Sequence, residues 1–100
     1  MTTPLRLKVI WQKNLLAIAV EASTSFSTYF LTPYYFSPRT NVWVQLKLEL
    51  DTKQWLNTNE KRLLLNKVAD LINYWQESRT KDTLKIVKSR FTDVTFVNPN

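Results

Sequence analysis

Val42-Trp-Val-Gln-Leu-Lys-Leu-Glu-Leu-Asp51 is the stretch on which the fold turns. Val42, Val44, Leu46, Leu48 and Leu50 alternate with Trp43, Gln45, Lys47, Glu49 and Asp51, which is the period of a half-buried strand. The same residues also hold a helical stripe, Trp43, Leu46 and Leu50, with Asn41 placed to serve as its N-cap. Pattern alone leaves both readings open.

The segments on either side are less equivocal. Downstream, residues 58–77 read as a helix. Asn57 is a good N-cap, and Glu60 stands at the third helical position, as in a capping box. Leu64, Val68, Leu71 and Trp75 follow at helical spacing, flanked by Leu65 and Ile72. Upstream, residues 5–12 place Leu5, Leu7, Val9 and Trp11 on one face and Arg6, Lys8 and Gln12 on the other, with Ile10 the exception. Residues 15–22 are short and mostly apolar, as in a strand covered on both faces. The two form a hairpin if Asn14 takes a positive φ in the turn.

Residues 23–28 read as a loop. Residues 29–36 are aromatic and strand-like around Pro33, a residue that suits an edge or a bulge. Near the C-terminus, Asp82 can cap a short helix in which Leu84, Val87 and Phe91 face inward. Val94 and Phe96 then alternate with Asp93 and Thr95 as a closing strand. No repeat or linker interrupts the chain, so residues 1–100 read as a single domain, with residues 98–100 expected to fray.

Composition excludes several chemistries. Cysteine, histidine and glycine are all absent from the 100 residues. That removes disulfides, a thiol nucleophile and zinc sites of the usual ligand types. It also removes a Ser-His-Asp triad and the glycine-rich loops that cradle phosphates. No metal site and no cofactor is indicated. The longest apolar run, Leu15 to Val20, is too short to span a bilayer, and no signal or transit segment is visible.

The formal net charge is +6, which favours polyanions. It is unevenly spread. Arg79, Lys81, Lys85, Lys88 and Arg90 cluster against the single acid Asp82, while Arg6, Lys8 and Lys13 mark the N-terminal strand. On a helix over 82–90, Lys81, Lys85 and Lys88 stack on one face, opposite Leu84, Val87 and Phe91. Such a helix offers phosphates a cationic side; the plain alternative is a solvated surface.

Among the tryptophans, Trp11 and Trp75 belong to apolar stripes and are expected in the core. Trp55 lies in a connection, either as a plug over the core or as an exposed anchor. Tyr34, Tyr35 and Phe36 offer an aromatic strand surface of the RNA-binding kind, but the lysine- and glycine-bearing pattern of an RRM is absent, so they are expected in the core. Glu49 and Asp51 lean outward, and nothing marks them as a catalytic or metal-binding pair.

Several strings carry a resemblance. They are Ile72-Asn-Tyr-Trp-Gln-Glu77; Leu31-Thr32 followed by Tyr34-Tyr-Phe-Ser-Pro-Arg39; Trp43; and Lys53-Gln-Trp55. Trp11 and Lys13-Asn14 before Ala17-Ile-Ala-Val20, and the ending Phe91 with Val94-Thr-Phe96, fit the same pattern. Together these resemble the third plastid-specific ribosomal protein, a family of the small ribosomal subunit of chloroplasts and cyanobacteria. The resemblance implies a helix over 42–50. It also implies small-subunit ribosomal RNA and neighbouring small-subunit proteins as partners, with no enzymatic activity and no small-molecule substrate.

The amino-acid usage is that of an AT-rich genome, which fits a plastid-encoded protein of the chloroplast stroma; a cyanobacterial cytoplasm is the second choice. The expected fold is α+β: a small antiparallel sheet against helices near 42–52, 58–77 and 82–90. Candidate RNA contacts are Arg6, Lys8, Arg39, Arg79, Lys81, Lys85, Lys88 and Arg90, with Arg39 included because it follows the proline of the matching motif. The rival reading is a basic adaptor that docks an acidic protein or an anionic membrane surface without RNA.

Overall fold

A computed structural model describes residues 4–78 and 84–97. In chain order the elements are β1 (Leu5–Trp11), β2 (Leu16–Ser23), β3 (Thr28–Phe30), β4 (Tyr35–Ser37), α1 (Val42–Asp51), α2 (Thr58–Ser78), α3 (Leu84–Arg90) and β5 (Thr95–Phe96). The α+β class is as the sequence indicates.

β1 and β2 form the antiparallel hairpin, in register from Leu5 opposite Ala22 to Trp11 opposite Leu16. The turn needs no left-handed residue: φ is negative at Asn14 and at every other described residue. Four residues, rather than two, separate Trp11 from Leu16, and the Gln12 N–H donates to the Leu15 carbonyl at 2.9 Å to close the loop. Positive φ is a demand of the two-residue turns.

The far side of β2 is shared by two short strands. β3 pairs with residues 21–23 and β4 with residues 16–18. Pro33 falls in the break between them, where no ladder N–H is required. Thr32 fills the gap: its buried hydroxyl accepts from the Val20 N–H at 3.0 Å and donates to the Pro33 carbonyl at 2.9 Å. On the opposite side of the sheet β5 runs parallel to β1, pairing Thr95 with Lys8 and Phe96 with Val9. The sheet is therefore mixed rather than wholly antiparallel. The three helices carry the chain from the β2 side across to the β1 side, and it re-enters in the direction of β1.

One face of the sheet carries the core: Leu7, Val9 and Trp11 from β1, with Leu16, Ile18 and Val20 from β2. β2 is buried on both faces, as its apolar run implies. Its outward residues are the small Ala17 and Ala19, flanked across the ladders by Ile10, Lys8 and Phe36, and then Glu21, which pairs with Lys8 at 3.4 Å.

Residues 42–51 are helical. Asn41 caps the helix, its Oδ1 accepting from the Val44 N–H at 3.2 Å. The alternation resolves simply, because a period of two contains a period of four. Val42, Leu46 and Leu50 are buried in one stripe, while Val44 and Leu48 are left exposed. Trp43 flanks the stripe half-buried, and its indole N–H donates to the Leu65 carbonyl of α2 at 3.1 Å.

α2 begins at Asn57, whose Oδ1 accepts from the N–H groups of Asn59 and Glu60 at 2.8 and 3.2 Å. Its buried stripe is Leu65, Val68, Leu71 and Trp75, with Leu64 and Ile72 partly buried against the same core. Trp75 donates its indole N–H to the Gln12 carbonyl at 2.7 Å, fixing the helix to the β1–β2 turn. After α3, Asp93 pairs with Lys67 of α2. That hydrogen bond, offset in part by burial, holds the Asp93 carboxyl below the usual carboxylate range.

Two outcomes follow from this packing. Trp75→Ala removes a fully buried indole and its hydrogen bond; it should cost roughly 3–5 kcal/mol in a denaturant melt, and a near-native midpoint would show that the indole does not hold α2 to the sheet. Asp93 binds protons less readily folded than unfolded, so its contribution is present above about pH 4 and is lost as pH falls through the lower folded value. Thermal melts from pH 6 to pH 2 should therefore show a shallower acid loss in Asp93→Asn than in the parent chain.

Candidate nucleic-acid interface

α3 presents its cations because its other side is committed. Val87 is fully buried, and Phe91, just beyond the helix, packs its edge against Tyr74 of α2 with ring centroids 5.6 Å apart. Lys85 and Lys88, one turn apart, are exposed and form no ion pair among the described residues. The guanidinium of Arg90 lies 4.8 Å from the Tyr74 ring centroid. That cation–π contact fixes the side chain without neutralising it. Arg79, Lys81 and the proposed cap Asp82 lie outside the described residues, as does the side chain of Leu84.

Arg6 and Lys8 share the sheet face opposite the helices. Arg6 donates through Nε to the Thr95 hydroxyl of β5, and its charge helps to lower the Asp93 carboxyl. Lys8 is drawn inward: besides the Glu21 pair, its ammonium sits 5.3 Å from the Phe30 ring centroid. Arg39 is exposed in the connection between β4 and α1 and has no ion pair among the described residues. The structure thus gathers Lys85, Lys88 and Arg90 on one element. It sets Arg6 and Lys8 on the sheet and Arg39 at the α1 entrance.

A further group of cations escaped the sequence reading. A groove of about 280 Å³ between α1 and α2 is lined by Trp43, Lys47, Lys61 and Arg62, among others. Lys47 and Lys61 share one carboxylate, Asp51, at 2.7 and 3.9 Å. The Lys47 hydrogen bond chiefly holds Asp51 below the usual carboxylate range. Arg62 donates to Asn59 Oδ1 at 2.5 Å. The one advance signal was the i, i+4 spacing of Lys47 and Asp51; that Lys61 would meet them depends on the helix-helix packing.

The aromatic expectations divide. Trp11 and Trp75 are core, whereas Trp55 is 58% exposed and so does not plug the core. Tyr35 packs against the core and donates its hydroxyl to Glu49 at 2.9 Å, with burial and that hydrogen bond raising its pKa. Phe36 points the other way and is partly exposed, because it alternates with Tyr35 along β4. Among the described residues no three Asp, Glu, His or Cys side chains gather as metal ligands. Nor is any helix among them long and apolar enough to cross a membrane.

Comparison with known proteins gives this geometry a context. Residues 31–78 match the family described as plastid and cyanobacterial ribosomal protein (PSRP-3 / Ycf65). The chain is 40% identical over 93 residues to the small ribosomal subunit protein cS23 of Gracilaria tenuistipitata var. liui, spanning 93% of this chain and 94% of that one. It is 41% identical over 91 residues to the protein of the same name from Cyanidium caldarium, covering 89% and 90% of the two chains. The Mesostigma viride cS23 is 36% identical over 92 residues, with 92% of this chain and 75% of that one covered. With that identity over almost its whole length, the chain belongs to the plastid and cyanobacterial ribosomal protein family (PSRP-3 / Ycf65), a structural ribosomal protein and not an enzyme.

Proposed function

We propose that the protein is a structural constituent of the small ribosomal subunit in a plastid, held there by ribosomal RNA and by neighbouring small-subunit proteins. The gene is plastid-encoded and the product works in the chloroplast stroma. RNA contact is made through the cations of α3, Lys85, Lys88 and Arg90, continued by Arg79 and Lys81 before the helix, with Arg6, Lys8 and Arg39 as further contacts.

The observation that carries this reading is the exposure of Lys85 and Lys88, without an ion pair among the described residues, on a helix anchored by Val87 and by Arg90 over Tyr74. The helix sets these charges on one element, and their binding to phosphates releases counterions. Folded RNA is recognised largely by such shape-matched phosphate and ribose contacts. Lys8 contributes least, because Glu21 already compensates it.

Lys85→Gln with Lys88→Gln tests this. The double variant should melt like the parent. Its affinity for small subunits stripped of the protein should depend less steeply on salt, the slope of log K against log salt falling by about 1.5. An unchanged slope would remove α3 from the interface.

A further inference from the structure

Sheet edges are usually blunted, because their unpaired N–H and C=O groups invite another strand. The β3 edge is not. β3 ends the strand order on its side, and no described strand pairs its outer flank. Leu31 donates to the Val20 carbonyl of β2, so by ladder alternation Tyr29 also faces β2, while the main-chain groups of Thr28 and Phe30 face away from it.

No lysine, proline or acid protects the strand, Thr28-Tyr-Phe30. Its aromatics are open to solvent: Phe30 is 51% exposed, Tyr29 42%, and Phe26 in the preceding turn 97%. A groove of about 550 Å³ lined by Phe30, Leu31, Thr32, Pro33 and Tyr34 runs beside it.

Charge decides between the two kinds of partner that exposed aromatics can serve. Surfaces that stack single-stranded bases combine aromatic rings with a cationic groove that follows the phosphates. In this protein of net charge +6, Glu21 is the one charged side chain from Asn14 to Pro38. The cation over Phe30, Lys8, is held by that same Glu21. Among the described residues the edge is therefore aromatic, nearly without charge and open at the main-chain groups of Thr28 and Phe30, which suits a peptide strand rather than a polyanion.

From this we infer that β3 receives an extended, largely uncharged segment of a neighbouring small-subunit protein. The segment adds as a sixth strand hydrogen-bonded to Thr28 and Phe30, with an apolar side chain in the groove beside Phe30 and Tyr34. The inference rests on the ribosomal placement proposed above.

Small subunits assembled with the full chain, carrying a benzoylphenylalanine photo-crosslinker in place of Phe30, separate the possibilities. Co-sedimentation with the subunit reports on the placement; the adduct formed on irradiation reports on the edge. The expected adduct is one segment of one ribosomal protein. In subunits assembled with the parent chain, exchange of the Thr28 and Phe30 amides should slow by roughly 100-fold relative to the free chain. Thr28→Pro, which deletes an outward N–H and none facing β2, should abolish the crosslink from position 30. A chain that co-sediments but crosslinks to RNA, or whose Thr28 and Phe30 amides exchange as in the free chain, overturns the added strand and leaves the placement standing. A chain that does not co-sediment overturns both.

Discussion

The Trp75 indole N–H reaching the Gln12 carbonyl at 2.7 Å is the contact on which the rest of the molecule depends. It joins residues 63 positions apart and sets the C-terminal half of α2 against the β1–β2 turn. Tyr74, the preceding residue, is thereby placed beside Trp11, with ring centroids 6.1 Å apart. Tyr74 in turn meets Phe91 and lies under Arg90. The position of α3, and so of Lys85 and Lys88, is inherited through this chain of aromatic contacts rather than set by α3 itself. A seven-residue helix has little stability of its own. Its orientation must come from packing, and the packing starts at Trp75.

Much of this was legible in the residues. The hairpin, α2 with its Asn57 cap, and the core placement of Trp11 and Trp75 all follow from period and capping chemistry. Residues 42–51 were ambiguous for a definable reason. A strand pattern also fills every fourth position of a helix, and only the partners of Val42, Leu46 and Leu50 decide which period is used. Other features depend on non-local geometry that no short window contains. The parallel entry of β5 is set by where three helices deliver the chain. Phe36 was expected inside because it is aromatic, yet its strand alternates and Tyr35 takes the core side. Of the candidate cations, those on α3 and those on β1 could be grouped in advance, because each set shares one element. The meeting of Lys47 with Lys61 across Asp51 could not.

The distribution of charge suits a chain of this size to the ribosomal role proposed above. Exposed cations lie on α3, on the helices and at the N-terminal strand, whereas the β3–β4 side of the sheet is aromatic and almost without charge. A polyanion and a neutral protein segment can then be held by different faces without competing for the same residues. The family to which the chain belongs, plastid and cyanobacterial ribosomal proteins, is a setting in which both kinds of neighbour are present.

Sedimentation separates binding through ribosomal RNA from a role away from the ribosome. A plastid lysate is resolved on a sucrose gradient with and without ribonuclease, and this protein is followed through the fractions. Binding through ribosomal RNA predicts migration with the small subunit, lost once the RNA is digested. Migration at the top of both gradients would contradict it and would favour a basic adaptor that works away from the ribosome.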